Sequence, residues 1–172
     1  YTVNAGTVPQ RIRRRTMNEI YNIIVNKNKA AMYLNVDNKC AGFDDFDIAV
    51  QSGRPFCCDM LPEVIPVDID KAQLPYLTQF REIIQESAYP YLEIMSGGEN
   101  SPNRHFYILV TDTWQREILV NDLRSICGSV PVRIGQKIRP PFTPHRSKTG
   151  HATPVDATQV EAFINASERL LV

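Results

Sequence analysis

The sequence predicts an α+β fold with a β-α-β-β-α-β core, the split βαβ or ferredoxin-like arrangement. An N-terminal α/β extension precedes the core and a C-terminal helix follows it. Three observations carry this. Runs rich in β-branched and aromatic residues at 64–70, 91–95, 105–110 and 130–134 read as strands. Apolar stripes at helical spacing separate the first run from the second and the third from the fourth. Only a short polar loop bearing Gly97 and Gly98 separates the second from the third, which makes those two a hairpin.

Taken in order, Thr16-Met17-Asn18-Glu19 is a capping-box pattern, and Ile20, Ile23 and Ile24 follow at helical spacing. This predicts a helix over about 16–28. Residues 31–36 read as a strand and 43–51 as a short helix or turn. The core opens with Val64–Asp70. A helix over 72–87 places Leu74, Leu77, Phe80, Ile83 and Ile84 on one stripe. Tyr91–Met95 is the second strand and His105–Val110 the third. Thr113 can cap a helix carrying Trp114, Ile118, Leu119, Leu123 and Ile126, and Gly128 ends it before the fourth strand, Val130–Ile134. Asp156 and Gln159 open a final amphipathic helix. The whole reads as one domain: extension 1–62, core 63–135, basic loop 136–155 and C-terminal helix 156–172.

Apolar residues make up 43% of the chain and charged residues 22%, which excludes disordered and collagen-like classes. No apolar run exceeds five residues, as in Phe106–Val110, so no membrane span is expected. Nothing near Tyr1 resembles a signal peptide. The missing initiator Met suggests a fragment of a larger protein. Cys40, Cys57, Cys58 and Cys127 include no C-x-x-C, so they read as reduced thiols of a cytoplasmic protein. The 19 bases cancel the 19 acids, which at face value argues against a nucleic-acid binder.

The charges are segregated, however. Residues 40–70 hold seven acids against Arg54, and residues 123–155 hold six bases and no acid. A third cluster is Arg11, Arg13, Arg14 and Arg15. The basic tract points to an anionic partner such as phosphate, or to pairing with the acidic stretch of the same molecule.

In a split βαβ sheet the first and third strands are antiparallel neighbours. That places Asp68 and Asp70 beside His105, with the 96–103 loop at the same edge. Two carboxylates at strand spacing i, i+2 share a face, and a divalent cation is the usual way to keep both ionised. The alternative is that they are strand-end acids capping the next helix. His105 reads as a phosphate or nucleotide contact, and Arg104, alternating to the opposite face, as a weaker one. The stretch from Ile138 to Gly150 combines prolines with Arg139, His145, Arg146 and Lys148, and reads as an ordered loop presenting phosphate contacts. No phosphate loop, G-x-S-x-G, H-E-x-x-H or dinucleotide fingerprint is present.

Together these residues resemble the archaeo-eukaryotic primase superfamily, in particular the primase-polymerase domains of bacterial phage and plasmid replication proteins. Val67-Asp68-Ile69-Asp70 matches its first motif, an apolar strand ending in D-x-D. Ser96-Gly97-Gly98 followed by His105-Phe106-Tyr107 matches its second. Arg139-Pro140 through Gly150 is similar to a basic segment of many mobile-element members.

The resemblance implies an RRM-like core and metal-dependent nucleotidyl transfer, priming DNA or extending it on a template. Asp68 and Asp70 would bind Mg²⁺ or Mn²⁺, and His105 would contact the incoming nucleotide. Ser96, Arg104, Arg139, His145, Arg146 and Lys148 would meet nucleotide or DNA. Partners would be a single-stranded or primed DNA template, nucleoside triphosphates and a fused or associated helicase, in the cytoplasm of a bacterial host. The family's third motif adds a metal-ligating Asp, but residues 130–139 hold no acid, so either another acid such as Glu93 or Asp112 substitutes, or the domain works with fewer ligands or has lost activity.

Two other readings compete. One is a non-catalytic RRM-like module that binds single strands by stacking bases on Phe106 and Tyr107. The other is a replication-type endonuclease, which normally needs two histidines on one strand and a nucleophilic tyrosine, where His105-Phe106-Tyr107 supplies one histidine only.

Overall fold

The computed structural model describes residues 10–98, 100–146 and 150–171. Its elements are α1 Gln10–Ile24, β1 Ala31–Leu34, β2 Cys40–Asp44, α2 Phe46–Ser52, β3 Phe56–Cys57 and β4 Val64–Ile69. A 3₁₀ turn at Leu74–Tyr76 then leads into α3 Leu77–Glu86, β5 Tyr91–Met95, β6 Arg104–Leu109, α4 Thr113–Cys127, β7 Thr153–Pro154 and α5 Ala157–Leu171. No described helix is long and apolar enough to cross a membrane.

The α+β core is present as read. β4, β5 and β6 lie in the order β4-β6-β5, with both pairings antiparallel, and β7 extends the sheet beyond β5. The register sets Asp68 opposite His105 and His105 opposite Ile94. The fourth core strand is the exception. Residues 130–134 shrink to a single bridge, Val67 to Val132, closed by Asp68 N–H to Pro131 O at 2.7 Å and Arg133 N–H to Pro66 O at 2.9 Å. Pro131 has no N–H to extend the ladder, and Gly135 turns the chain away at φ 75°.

Alternation along the strands splits the interior in two. Ile65, Val67, Ile69, Phe106 and Ile108 pack against Phe80 and Ile84 of α3 and Leu119, Val120 and Leu123 of α4. Val64, Leu92, Ile94, Tyr107 and Leu109 pack the other way. They meet Ile20, Tyr21 and Ile24 of α1, Phe163 of α5 and Phe46 and Phe56 of the extension. Both faces of this sheet are therefore covered.

The N-terminal extension departs most from expectation. β1 is flanked by β2 and β3 in a second antiparallel sheet, where the sequence predicts only one strand. Of the β2 residues only Asp44 is not fully exposed, so its sequence carries no alternating signal. α1 starts at Gln10, which leaves Thr16 inside the helix, and Glu19 pairs with Arg15 one turn back at 3.2 Å instead of capping. The cap of α4 is Asp112, which accepts from Gln115 N–H at 2.9 Å, one residue before Thr113.

Glu93 ties the layers together. It is 3% exposed and faces α3, where Arg81 grips both of its oxygens at 3.0 and 2.6 Å and Arg104 lies 3.3 Å away. Its backbone N–H donates to Gln159 of α5 at 2.7 Å. Glu93→Ala leaves two arginines without their counter-charge and is expected to cost about 3 kcal/mol. Urea denaturation at neutral pH measures this, and an unchanged midpoint would show that the grip is idle.

Candidate active site

Asp68 lies on the α1 side of β4 because Val67 and Ile69 fill the opposite core. Asp70 follows the strand and is exposed. Its carbonyl accepts from Gln73 and Leu74, and its N–H donates to Gln73 Oε1 at 3.1 Å. No side-chain cap starts the 3₁₀ turn, so the carboxylates are not spent on capping.

His105 faces Asp68 across the strand pair, with Nε2 3.3 Å from Asp68 Oδ1. Its Nδ1 lies 3.2 Å from the Tyr107 hydroxyl, which donates to Arg139 O at 2.7 Å. A tyrosine hydroxyl has one proton, and here the carbonyl takes it, so the hydroxyl can only accept from His105. This places a proton on Nδ1 and turns Nε2 toward Asp68. The Arg133 Nη2 lies 3.5 Å from Asp68 Oδ2.

The basic loop folds back onto this edge. Tyr107 holds the carbonyl of Arg139, and the Tyr21 hydroxyl donates to Pro141 O at 2.6 Å. Phe142 N–H to Ala152 O, Ala152 N–H to Thr143 O and His145 N–H to Gly150 O close the loop as a narrow hairpin. Its far end rests on the turn after β5. A Cβ on Gly98, at φ 103°, would stand 2.9 Å from the Cα of Gly150, so glycine is required on both sides. Ser96 is buried beside that turn, and its N–H donates to Asn103 O.

Arg139 is 8% exposed, yet its Nη1 has no hydrogen-bond partner, and the buried Nε of Arg146 has none either. Burial lowers the Arg139 pKa, Asp68 is among the groups that raise it, and Arg146 lowers it further, so the three share one field. Cys57 of β3 lies in the same field; burial pushes its thiol up to about 11, against the pull of Arg139 and Arg146.

The two carboxylates are driven apart. Burial works to raise Asp68, but His105 and Arg133 outweigh it and hold its carboxyl below the ordinary range. Asp70 is raised, by burial and then by the Asp68 charge. Asp68 Oδ1 is buried and makes no hydrogen bond. Among the described residues no three His, Cys, Asp or Glu side chains are grouped to hold a metal. What the site offers a divalent cation is two carboxylates, Asp68 and Asp70, hard oxygen donors of the kind Mg²⁺ or Mn²⁺ takes.

Asp68, Asp70, His105, Arg139 and Arg146 are brought to one edge, and Ser96 and His145 lie on the loops beside it. Arg104 is not: it sits on the opposite face, on Glu93 and the carbonyls of Ser101 and Asn103. Lys148 lies outside the described residues, as do the side chains of Arg11 and Arg13. Neither proposed substitute acid arrives, since Glu93 is gripped on the other face and Asp112 caps α4. Phe106 and Tyr107 are wholly buried on opposite faces of the sheet, so neither ring of this pair is exposed for a base to stack on. Arg133 and Cys57 escaped the sequence reading. Arg133 alone had a signal, being two residues past Pro131 on the predicted edge strand.

Comparison of the chain with protein-family models, curated proteins and solved structures finds no match.

The opposite shifts give opposite expectations for Asn variants. A raised native carboxyl contributes stability below its unfolded pKa and loses it as pH rises through the native value. Asp70→Asn should therefore raise the melting temperature at pH 7, by about 1–3 °C because solvent screens the exposed group. The gain should vanish below about pH 3.5, where Asp70 is protonated anyway. Asp68, lowered in the native state, stabilises above its unfolded pKa and loses this as pH falls through the native value, so Asp68→Asn should lower the melting temperature at pH 7. Scanning calorimetry across pH reads both, and equal effects of the two variants would contradict the assignment.

Proposed function

We propose that the chain is a metal-dependent nucleotidyl transferase that primes DNA or extends it on a template. The observation that carries this reading is a set of buried groups of opposite charge at one sheet edge: Asp68, its Oδ1 3.3 Å from His105 Nε2, on one side, and Arg139 Nη1 and Arg146 Nε, neither with a hydrogen-bond partner, on the other. Each unsatisfied buried group costs roughly 1–3 kcal/mol. A metal-bound triphosphate satisfies both kinds at once, cation to carboxylate and phosphate to guanidinium.

Asp68 and Asp70 hold Mg²⁺ or Mn²⁺, which when bound orients the triphosphate and offsets charge in the in-line displacement. Arg139 and Arg146 clamp the phosphates, and because Tyr107 and Tyr21 hold their loop from beneath, little ordering is left for the moment of binding. His105, its Nδ1 proton fixed by Tyr107, keeps Nε2 beside the acid pair to meet the nucleotide. Ser96 and His145 border the path of nucleotide or template. The setting is replication of a bacterial phage or plasmid, in the host cytoplasm, with a fused or associated helicase supplying single strands.

Incorporation of nucleoside triphosphates on a primed or unprimed single strand, with Mn²⁺ or Mg²⁺, tests the reading. Asp68→Ala with Asp70→Ala should reduce it by about 10³-fold or more, the several kcal/mol a catalytic cation supplies. Arg146→Gln should act mainly on KM for the triphosphate. Full activity in the double variant would overturn the assignment.

A further inference from the structure

The basic loop is paired to the second sheet as well as to the first. Cys58 and Ile138 exchange backbone hydrogen bonds, each at 2.9 Å, in an antiparallel bridge that joins the loop to β3. Both side chains point into the core, with Ala31, Tyr33 and Phe56. Alternation sends Cys57 and Arg139, the next pair out from the bridge, to the opposite face. After burial, the Arg139 charge is the strongest influence on the Cys57 thiol, as that adjacency requires.

The row continues across the sheet. Cys57 stands opposite Met32 of β1, and Met32 opposite Phe43 of β2. Directly opposed residues share a face, so Arg139, Cys57, Met32 and Phe43 form one line, about 14 Å long at the usual strand spacing. Exposure rises along it. Arg139 is 8% exposed, Cys57 and Met32 are half-buried, and Phe43 is 58% exposed. The line thus runs from a buried guanidinium whose Nη1 has no hydrogen-bond partner to a bare aromatic ring. It carries no acid. Asp44, next to Phe43, turns to the other face, where the Tyr33 hydroxyl donates to it at 2.9 Å.

A cation beside polarisable sulfur side chains and an exposed ring suits single-stranded nucleic acid, with phosphate on the cation and bases flat on the apolar groups. Two other occupants fit less well. An added protein strand would pair along the edge of β2, but there the register shifts between Met32 and Leu34 and Gly42 adopts φ 114°, which bends the edge away. The base of a lone nucleotide is held in a concave pocket, whereas Phe43 stands on an open face.

We propose that the outer face of the β2-β1-β3 sheet is a track for single-stranded DNA, with Phe43 as the platform on which a base stacks, Met32 and Cys57 as its apolar floor, and Arg139 as the phosphate contact where the strand enters the site. The inference rests on the reading of Arg139 as a phosphate ligand and names the path by which DNA reaches it.

Fluorescence anisotropy of labelled oligothymidylate at low salt, with EDTA and without nucleoside triphosphates, tests the track apart from catalysis. The unaltered chain should bind it, and should bind an abasic strand of equal length about tenfold more weakly, the worth of one base–aromatic stack. F43A should lose the same factor on oligothymidylate and nothing further on the abasic strand, and F43W should bind like the unaltered chain. The salt dependence should stay the same in F43A and become shallower by about one contact in R139Q. Equal affinity of the unaltered chain for the two strands, or none for either, would overturn the proposal without any variant. A loss in F43A that falls equally on both strands would do so too, as would an unchanged salt dependence in a cooperatively melting R139Q. A change in KM for the triphosphate with strand binding intact in F43A would make Phe43 a platform for the nucleotide instead. Sedimentation as a dimer that F43D dissolves would give the row to a second copy of the chain. The expected pattern in a chain that incorporates no nucleotide would strike the catalytic reading and leave the track standing.

Discussion

The hydroxyl of Tyr107 has a single proton, and the arrangement of the site follows from where that proton goes. It is donated to the carbonyl of Arg139, which anchors the start of the basic loop. The hydroxyl must then accept from His105, which sets the ring's orientation and turns Nε2 to Asp68. One buried group thereby connects a strand, a loop 32 residues further on and the carboxylate opposite. Tyr107 is fully buried, so water does not compete for these bonds, and low polarity around them strengthens each.

Burial of the sheet on both sides makes this possible. In an open-faced βαββαβ sheet the α1-side surface would be wet, and His105 and Asp68 would be ordinary exposed side chains. Here α1, α5 and the extension close that surface, leaving the charged groups at the sheet edge partly desolvated. Desolvation lowers the Arg139 pKa and raises the Asp70 carboxyl, so each charged form is held there at some expense to the fold. The Glu93 network on the opposite face shows the contrast. There Arg81 holds both oxygens of the Glu93 carboxylate, and Arg104 lies 3.3 Å away with its own Nε making no hydrogen bond.

The core was legible because its residues obey simple periods. Tyr91–Met95 was read with its observed bounds, and β4 and β6 came within one residue. The strand order then placed Asp68 opposite His105 from sequence alone, since antiparallel neighbours in a split βαβ leave little choice. Legibility failed where burial is uneven. β2 has no inside face to alternate, β3 is two residues long, and Arg133 lies on an edge segment that Pro131 reduces to one bridge. Cys57 could not be placed at all, because nothing local to Phe56–Cys57 says that the extension folds over the acid pair. The α1 start was missed for another reason: the Arg-rich stretch before Thr16 is itself helix-forming, so a valid capping pattern was overridden by an upstream turn.

The neutral sum of charges takes its meaning from the fold. Among the described residues the acidic stretch and the basic tract meet, as the intramolecular alternative required, at Asp59 with Lys137 and at Asp68 with Arg133. These pairs hold the tract in place at its near end. Beyond them Arg139, which feels the Asp68 charge, keeps its Nη1 without a hydrogen-bond partner, and Arg146 its Nε. If the purpose of the tract were internal neutralisation, the deeply buried Arg139 would be the first to find a partner, since leaving it unpaired is the costliest option. Instead Arg139 keeps an open nitrogen while Lys137 and Arg133 each have a carboxylate partner, although the buried Nε of Arg133 is unpartnered as well. A chain of zero net charge does little to attract duplex DNA at large.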